Sequence, residues 1–372
     1  MAAPDIIVVG AGIIGCACAY ELAEAGARVS VFDARQVGLG ASHASAGVLA
    51  PYIEGHESGP LRTLGRRSLD LYDGFIERLM SASGLVVQYT RGGTLEIALE
   101  PDHARRLREA TAVLRRDGVE ARWLEPSQLR TVEPLAVSSA LGALLIDMHG
   151  FVGVPDLTGA LSAAAMQQGA RFALDTRVVS IAPAANGRVE VETENGPSLA
   201  DGVVFAAGSW AGQIGIEGVP PTPILPVRGQ LLHLSWPTEQ PLRHVLWGPD
   251  CYLVPWLNGR VLVGATVEDA GFDERATAAG VRDLLAAGCA LVPHLSNASF
   301  IEVRVGLRPA SPDDLPVVGR SAVVPGLVYA TGHYRNGVLL APLTAALVKN
   351  LVLGDGTDPA LAILAPSRLG PL

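Results

Sequence analysis

The chain has 372 residues, 49% of them hydrophobic and 17% charged, with a formal net charge of −9. That length exceeds one ordinary core, so two domains are expected, and the apolar content excludes a disordered chain. The acidic balance, with no block of like charge, excludes a basic footprint for nucleic acid or anionic lipid.

Four cysteines fit a reducing, cytoplasmic setting. Cys16 and Cys18 fall on one predicted helix, while Cys251 and Cys289 lie far apart without ligand spacing, so no structural metal is expected. The apolar start "MAAPDIIVVGAG" lacks a basic flank and a cleavage pattern and reads as a first strand rather than a signal peptide. The other membrane candidate, Val338 to Leu353, is interrupted by Pro342 and Lys349 and is shorter than the roughly 20 residues of a span. It reads as a buried helix.

In chain order, "DIIVVG", "AGIIGCACAYELAEAGA" and "RVSVFDA" make a strand, a small-residue helix and a second strand, a βαβ unit. "RQVGLGASHASAGVLAP" is an extended loop with a short helical turn. Helices are predicted around Leu61 to Ser83 and Pro101 to Asp117, and "GGTLEIAL" opens a strand region. "DLTGALSAAAMQQGA" is a further helix, with Asp156 as its cap. "RFALDTRVVSIA", "RVEVETENG" and "GVVFAAGSWAG" read as strands returning to the first domain. "VRGQLLHLSW" and "CYLVPWLNGRVLVGAT" form a second β-rich block, the latter a hairpin about Asn258-Gly259. "GLVYATGHYRNG" and a final helix close the chain.

No repeat or low-complexity linker separates these blocks, so the domains are expected to interleave. Residues 1–85, 150–220 and 305–372 would form a Rossmann-like α/β domain. Residues 86–149 and 221–304 would form a domain built on an antiparallel sheet.

Gly10-Ala11-Gly12-Ile13-Ile14-Gly15 fits G-x-G-x-x-G between a strand and a helix, and Asp33 follows 18 positions after Gly15 at the end of the next strand. In that context the glycines let the backbone approach a pyrophosphate at a helix N-terminus, and Asp33 accepts from ribose hydroxyls. The acidic residue disfavours a 2′-phosphate. A nicotinamide-binding domain runs on through further βα units, whereas this chain leaves and returns in "VVFAAG" and "LVYATG". Such returns favour a larger ligand lying along several segments, FAD over NAD.

"DIIVVGAGIIG…VFDA", "ASHASAGVLAPY", "VVFAAGSWAG", "PVRGQ", "CYLVPWLNGRVLVGAT", "GLRPASPDDLPVVG" and "GHYRNGVLLAPLT" together resemble the D-amino-acid-oxidase-like flavoprotein family over nearly the whole chain. The branch it resembles most oxidises glycine and is tied to thiamine biosynthesis. The resemblance implies noncovalent FAD and oxidative deamination of glycine, sarcosine and small D-amino acids. Molecular oxygen would be the acceptor, and the products a 2-oxo acid, ammonia or amine, and hydrogen peroxide. It further implies that Ile13, Ile14, Asp33, Ala34, Ala41, Ser42, Ala46, Gly47, Val48 and Val178 line the FAD. His333, Tyr334, Arg335, Asn336, Gly337, Val338 and Leu339 would hold the isoalloxazine end. Arg308 would bind the substrate carboxylate, Tyr252 would donate to it, and Arg335 would sit nearby. Homo-oligomers are common in the family, and the oligomeric state is left open.

Two positions depart from the pattern. A methionine that some glycine-oxidising members place over the substrate stands here as Val267, and a histidine shortly before the site tyrosine stands as Asp250. Both bear on side-chain preference rather than on the reaction. The cysteine to which sarcosine oxidases attach flavin, beside the carboxylate-binding arginine, has no counterpart in "LRPASP".

Flavin oxidation of an amine asks little of side chains: the Cα–H must face N5, and a helix N-terminus must meet the charge developing at N1–C2=O. "GHYRNG" is the turn that would present that helix. Arg308 supplies the planar, permanently charged fork a carboxylate requires. Tyr252 shares a strand face with Val254 and Trp256, so core packing is its alternative role. His333 reads as structural rather than as a base, and Asp313 and Asp314 as turn residues. Three other readings stay open: a dehydrogenase passing electrons to a quinone or carrier, a non-catalytic flavin-binding subunit, and an NAD dehydrogenase.

Overall fold

The computed structural model describes residues 3–53, 59–236, 239–257, 259–354 and 356–372. Its first sheet has six strands in the order Val317–Arg320, Leu327–Thr331, Gly202–Phe205, Asp5–Val9, Arg28–Phe32 and Arg171–Ala173. All neighbours are parallel except the outermost pair, Val317–Arg320 with Leu327–Thr331. The central strand Asp5–Val9 is buried over Ile6, Ile7, Val8 and Val9, as a parallel strand covered on both faces must be.

The helix Ile13–Glu24 packs against Val154–Gln167 and Gly337–Leu353. Cys16, Ala17, Cys18 and Ala19 have no exposed surface, and their small size permits close helix approach. Glu21 on this helix is only 3% exposed; it pairs with Arg78 at 2.8 Å and with Lys349. Burial of this carboxylate is offset by two cations, as a buried charge demands.

The second large sheet has eight strands, ordered Ser299–Ala310, Leu225–Ser235, Arg260–Gly264, Tyr252–Trp256, Val245–Trp247, Thr94–Ala98, Gly142–Ile146 and Ala121–Leu124. It is antiparallel apart from Val245–Trp247, which runs parallel to Thr94–Ala98. The expected antiparallel sheet thus contains one parallel pair, since those two strands come from distant segments and no hairpin sets their sense. The predicted hairpin strands Tyr252–Trp256 and Arg260–Gly264 do pair; Asn258 lies outside the described residues.

Further expectations need correction. The helix over "DLTGALSAAAMQQGA" begins earlier, at Val154, with Gly153 at the N-cap and Pro155 in its first turn, so Asp156 sits inside the helix. Proline is preorganised for that first turn, and the acidic Asp156 complements the helix dipole without capping. Of the strands read as returning to the first domain, Arg171–Ala173 and Gly202–Phe205 join the six-stranded sheet. Val178–Pro183 and Val189–Thr193 form a separate four-stranded sheet with Gly196–Ala200 and Gly215–Ile216, and its Val178, Ile181, Val189 and Val191 share one apolar core with Ile7, Val9, Val203 and Phe205 of the six-stranded sheet. Alternation of exposed and buried residues in Val189–Thr193 marks a sheet solvated on one face. The helix Gly337–Leu353 is followed by a short one, Ala360–Leu364. Among the described residues no helix is long and apolar enough to cross a membrane.

Candidate functional site

A cavity of about 650 Å³ runs from the carboxyl ends of the parallel strands to the face of the eight-stranded sheet. At its first end, Gly10 adopts φ 108°, and a Cβ there would stand 2.4 Å from the Ala206 carbonyl oxygen. Only glycine fits that turn. A Cβ on Gly12 would meet nothing nearer than Ser42 Oγ at 3.5 Å and would project into the space beside the helix start. Gly15 does not line the cavity; a Cβ there would lie 1.8 Å from the Gly10 carbonyl, so its role is helix–strand packing.

Asp33 braces this turn. Its carboxylate accepts from the Ala11 amide at 2.6 Å and the Arg35 amide at 2.8 Å. Burial pushes its carboxyl up, outweighing those amides and the nearby Arg35 charge. The Ile13 amide, first of the helix, donates to Ser42 Oγ at 2.9 Å. Gly47 has φ 75°, and its Cβ would stand 1.8 Å from the Val152 carbonyl. Ala34, Ala41, Ala46, Val48 and Val178 line the same wall.

The turn "GHYRNG" closes the middle of the cavity. Gly332 and Tyr334 take φ of 71° and 47°, and the Tyr334 amide donates to the Pro309 carbonyl at 2.9 Å. A left-handed conformation at a tyrosine costs about 1–3 kcal/mol and is held here by its surroundings. His333 is 2% exposed, with Nε2 2.9 Å from Thr344 Oγ1. Burial lowers its pKa to about 3, so it is a neutral structural residue at ordinary pH. The Arg335 guanidinium lies 5.4 Å from the Tyr334 ring centroid. The helix Gly337–Leu353 starts here with Asn336 at its N-cap and no side-chain cap bond. Its first turn, Gly337, Val338 and Leu339, lines the cavity and carries amides that have no acceptor one turn back.

At the far end, Tyr252 pairs with Gly264 across the hairpin, and a Cβ on Gly264 would come within 2.5 Å of the phenol. The Tyr252 and Trp247 rings stand 4.8 Å apart. Arg308 projects from Ser299–Ala310, and its Nη1 donates to the carbonyls of Thr266 at 3.0 Å and Arg228 at 3.3 Å. Val267, Asp250 and Arg335 line this end too.

Sequence reasoning missed several residues here. Arg35 forms a two-point ion pair with Glu274 at 2.9 and 2.7 Å and covers the Trp210 ring at 4.4 Å. Arg228 and Gln230 in "PVRGQ" and Thr266 in "VLVGAT" gather with Glu268 behind Arg308, a cluster that their sequence positions do not announce. Charge pairs that join positions so far apart in the chain leave no local periodicity to detect.

Among the described residues no group of three metal-ligating side chains occurs. The glycine turn, the buried carboxylate at the adjacent strand end and a second helix N-terminus facing the same elongated cavity fit a flavin dinucleotide. The fold and this cavity define a dinucleotide-binding α/β protein.

The chain belongs to the DAO family of FAD dependent oxidoreductases, whose model matches residues 5–351. Its cofactor is FAD. Over 365 residues it is 35% identical to glycine oxidase of Geobacillus kaustophilus, covering 98% of this chain and 97% of that protein. The crystal structure of glycine oxidase from Geobacillus kaustophilus superposes with a TM-score of 0.92 at 33% identity, covering 99% of each chain. The bifunctional protein ThiO/ThiG of Nostoc sp. is 36% identical over 98% of this chain, which spans 55% of that longer protein.

Proposed function

We propose that the chain oxidises small amino acids, glycine, sarcosine and small D-amino acids, to the 2-oxo acid, ammonia or amine, and hydrogen peroxide, with molecular oxygen as acceptor. The observation that carries this is the placement of Arg308 and Tyr252 in the same cavity as the first turn of Gly337–Leu353. Likeness to glycine oxidases supports it, and likeness to ThiO/ThiG supports a place in thiamine biosynthesis.

In this reading, residues 1–85, 150–220 and 305–372 hold the cofactor, and residues 86–149 and 221–304 hold the substrate. Gly10, Gly12, Ile13, Ile14 and Asp33 hold the dinucleotide end, together with Ala34, Ala41, Ser42, Ala46, Gly47, Val48 and Val178. His333 to Leu339 hold the ring end, His333 through its backbone.

FAD, when bound, supplies the acceptor for a hydride from the substrate Cα. The protein's part is to place that Cα. Arg308 takes the carboxylate as a charged fork, and Tyr252 donates a further hydrogen bond to it. Trp247 and Tyr252 form an aromatic wall that limits the side chain, and Arg335 closes the site beside Tyr334. The amides at the start of Gly337–Leu353 favour negative charge beside them. No protein base is required, since the substrate amine enters neutral.

Oxygen uptake with each candidate amine, with peroxide measured in parallel, tests the proposal. One peroxide per oxygen consumed is expected. Turnover only with a quinone or artificial dye would replace the oxidase by a dehydrogenase.

A further inference from the structure

Arg308 does not hold its own position. Its Nη1 rests on two backbone carbonyls, those of Arg228 and Thr266, on segments 38 residues apart (266 − 228). The guanidinium lies across Gly229, where a Cβ would stand 2.4 Å from both terminal nitrogens. The placement of the fork therefore depends on the placement of residues 228 to 230 and 266.

One residue ties those segments together. The Glu268 carboxylate accepts from Arg228 Nη2 at 2.6 Å and Nε at 3.1 Å, from Gln230 Nε2 at 2.7 Å and from Thr266 Oγ1 at 2.5 Å. Its backbone closes the arrangement: the Glu268 amide donates to the Arg228 carbonyl at 3.0 Å, and the Arg228 amide donates to the Glu268 carbonyl at 2.9 Å. The Arg228 carbonyl that receives the Glu268 amide also receives Arg308.

The surroundings are built to keep this carboxylate charged. Burial opposes its ionisation, but hydrogen bonds from Thr266, Gln230 and Arg228 outweigh it and hold its pKa below the usual range. Gln230 has no exposed surface and anchors the cluster to the next helix, accepting from the Thr277 amide at 2.8 Å. Thr277 in turn caps Ala278–Leu291. Neither Arg228 nor Glu268 lines the cavity.

We infer that Glu268 is a positioning residue for substrate binding, which sets the Arg308 fork by locking Arg228, Gln230 and Thr266 around it. This rests on the reading of Arg308 as the carboxylate-binding residue. It also assigns a task to "PVRGQ": Arg228 and Gln230 grip Glu268, and Gly229 leaves room for the guanidinium.

The sign of one substitution separates positioning from electrostatics. Glu268→Gln removes a negative charge near an anion site and leaves Arg228 its partner Asp273 at 3.1 Å. Through-space charge alone would then tighten carboxylate binding. Loss of position would weaken it.

The test is calorimetric binding of glycolate, a carboxylate without the reacting amine, to the FAD-loaded enzyme, with FAD content and melting temperature recorded for each variant. Anaerobic flavin reduction by glycine is followed in parallel. Glu268→Gln is expected to weaken glycolate and glycine by about tenfold, with the limiting reduction rate changed less than about threefold. In an Arg308→Lys background the same substitution should add less than about twofold, because both changes act through one fork. Thr266→Val, which removes one of the bonds to Glu268, should shift binding in the same direction and keeps the test open if Glu268→Gln folds poorly.

Unchanged or tighter binding in Glu268→Gln and Thr266→Val, with Arg308→Ala still abolishing it, would overturn the positioning role alone. Additive effects of Glu268→Gln and Arg308→Lys would do the same. Undiminished glycolate binding in Arg308→Ala would overturn the reading of Arg308 and this inference together.

Discussion

The guanidinium of Arg308 lies against Gly229, so close that a single methyl group on that glycine would stand 2.4 Å from Nη1 and Nη2. The neighbours of that methyl are the far end of a flexible side chain, so Arg308 would move rather than the strand. Gly229→Ala is therefore expected to raise the KM for glycine by about tenfold or more while shifting the melting temperature by only a few degrees. Steady-state kinetics and a thermal melt of the same preparation check this. A large loss of stability with an unchanged KM would contradict it.

Tyr252 offers a phenol hydroxyl to the same carboxylate. A hydrogen bond to a charged group contributes about 1.5–3 kcal/mol, so Tyr252→Phe should reduce kcat/KM by roughly 10- to 100-fold. Gly264→Ala should act in the same direction, since its Cβ would lie 2.5 Å from the phenol. Kinetics on both variants decide. If Tyr252→Phe is neutral, the tyrosine serves only to pack against Trp247.

At the opposite end of the cavity, Arg35 pairs with Glu274 and covers Trp210, two residues beyond Asp33. Both partners are about one-third exposed, at 37% and 33%, which limits the pair to about 1 kcal/mol. Glu274→Ala should accelerate FAD release by roughly two- to fivefold, read from flavin fluorescence after dilution. Asp33→Ala should have a far larger effect on FAD content, because it removes the brace on the glycine turn as well as a ribose acceptor.

Two buried histidines set an acid limit. Burial lowers His333 to about 3 and His233 to about 4, from an ordinary 6.5. The unfolded chain thus binds more protons than the native one between those values and 6.5. Their contribution to stability is present above pH 6.5 and is lost as pH falls towards 4 and 3, at up to about 1.4 kcal/mol per pH unit for each histidine. Asp33, raised by burial, has the opposite sign and partly offsets this. The urea midpoint should fall between pH 7 and pH 5, and His333→Asn should flatten that slope. An equal slope in the variant would contradict the assignment.

Much of this was legible in the sequence because the signals were local. Gly10, Gly12, Gly15 and Asp33 announce a dinucleotide turn through their spacing within a strand–helix–strand context, and "GHYRNG" announces a helix start after a strand. The helix around "DLTGALSAAAMQQGA" was found but misbounded, because Pro155 in the first turn competes with Asp156 as a start signal. The separate four-stranded sheet was missed because a strand's pattern reports its burial and not which sheet it joins. Glu268 and Glu274 were invisible for a different reason: they lie in a segment without regular structure, and their partners Arg228 and Arg35 are far away in the chain.

The most direct test of the account is an anaerobic absorption spectrum of the purified protein, titrated with glycine, sarcosine and D-alanine and then opened to air. The flavin band is expected to bleach with at least one of these amines and to recover on aeration with release of hydrogen peroxide. A yellow protein that none of them reduces, or one that bleaches and stays reduced in air, would contradict it.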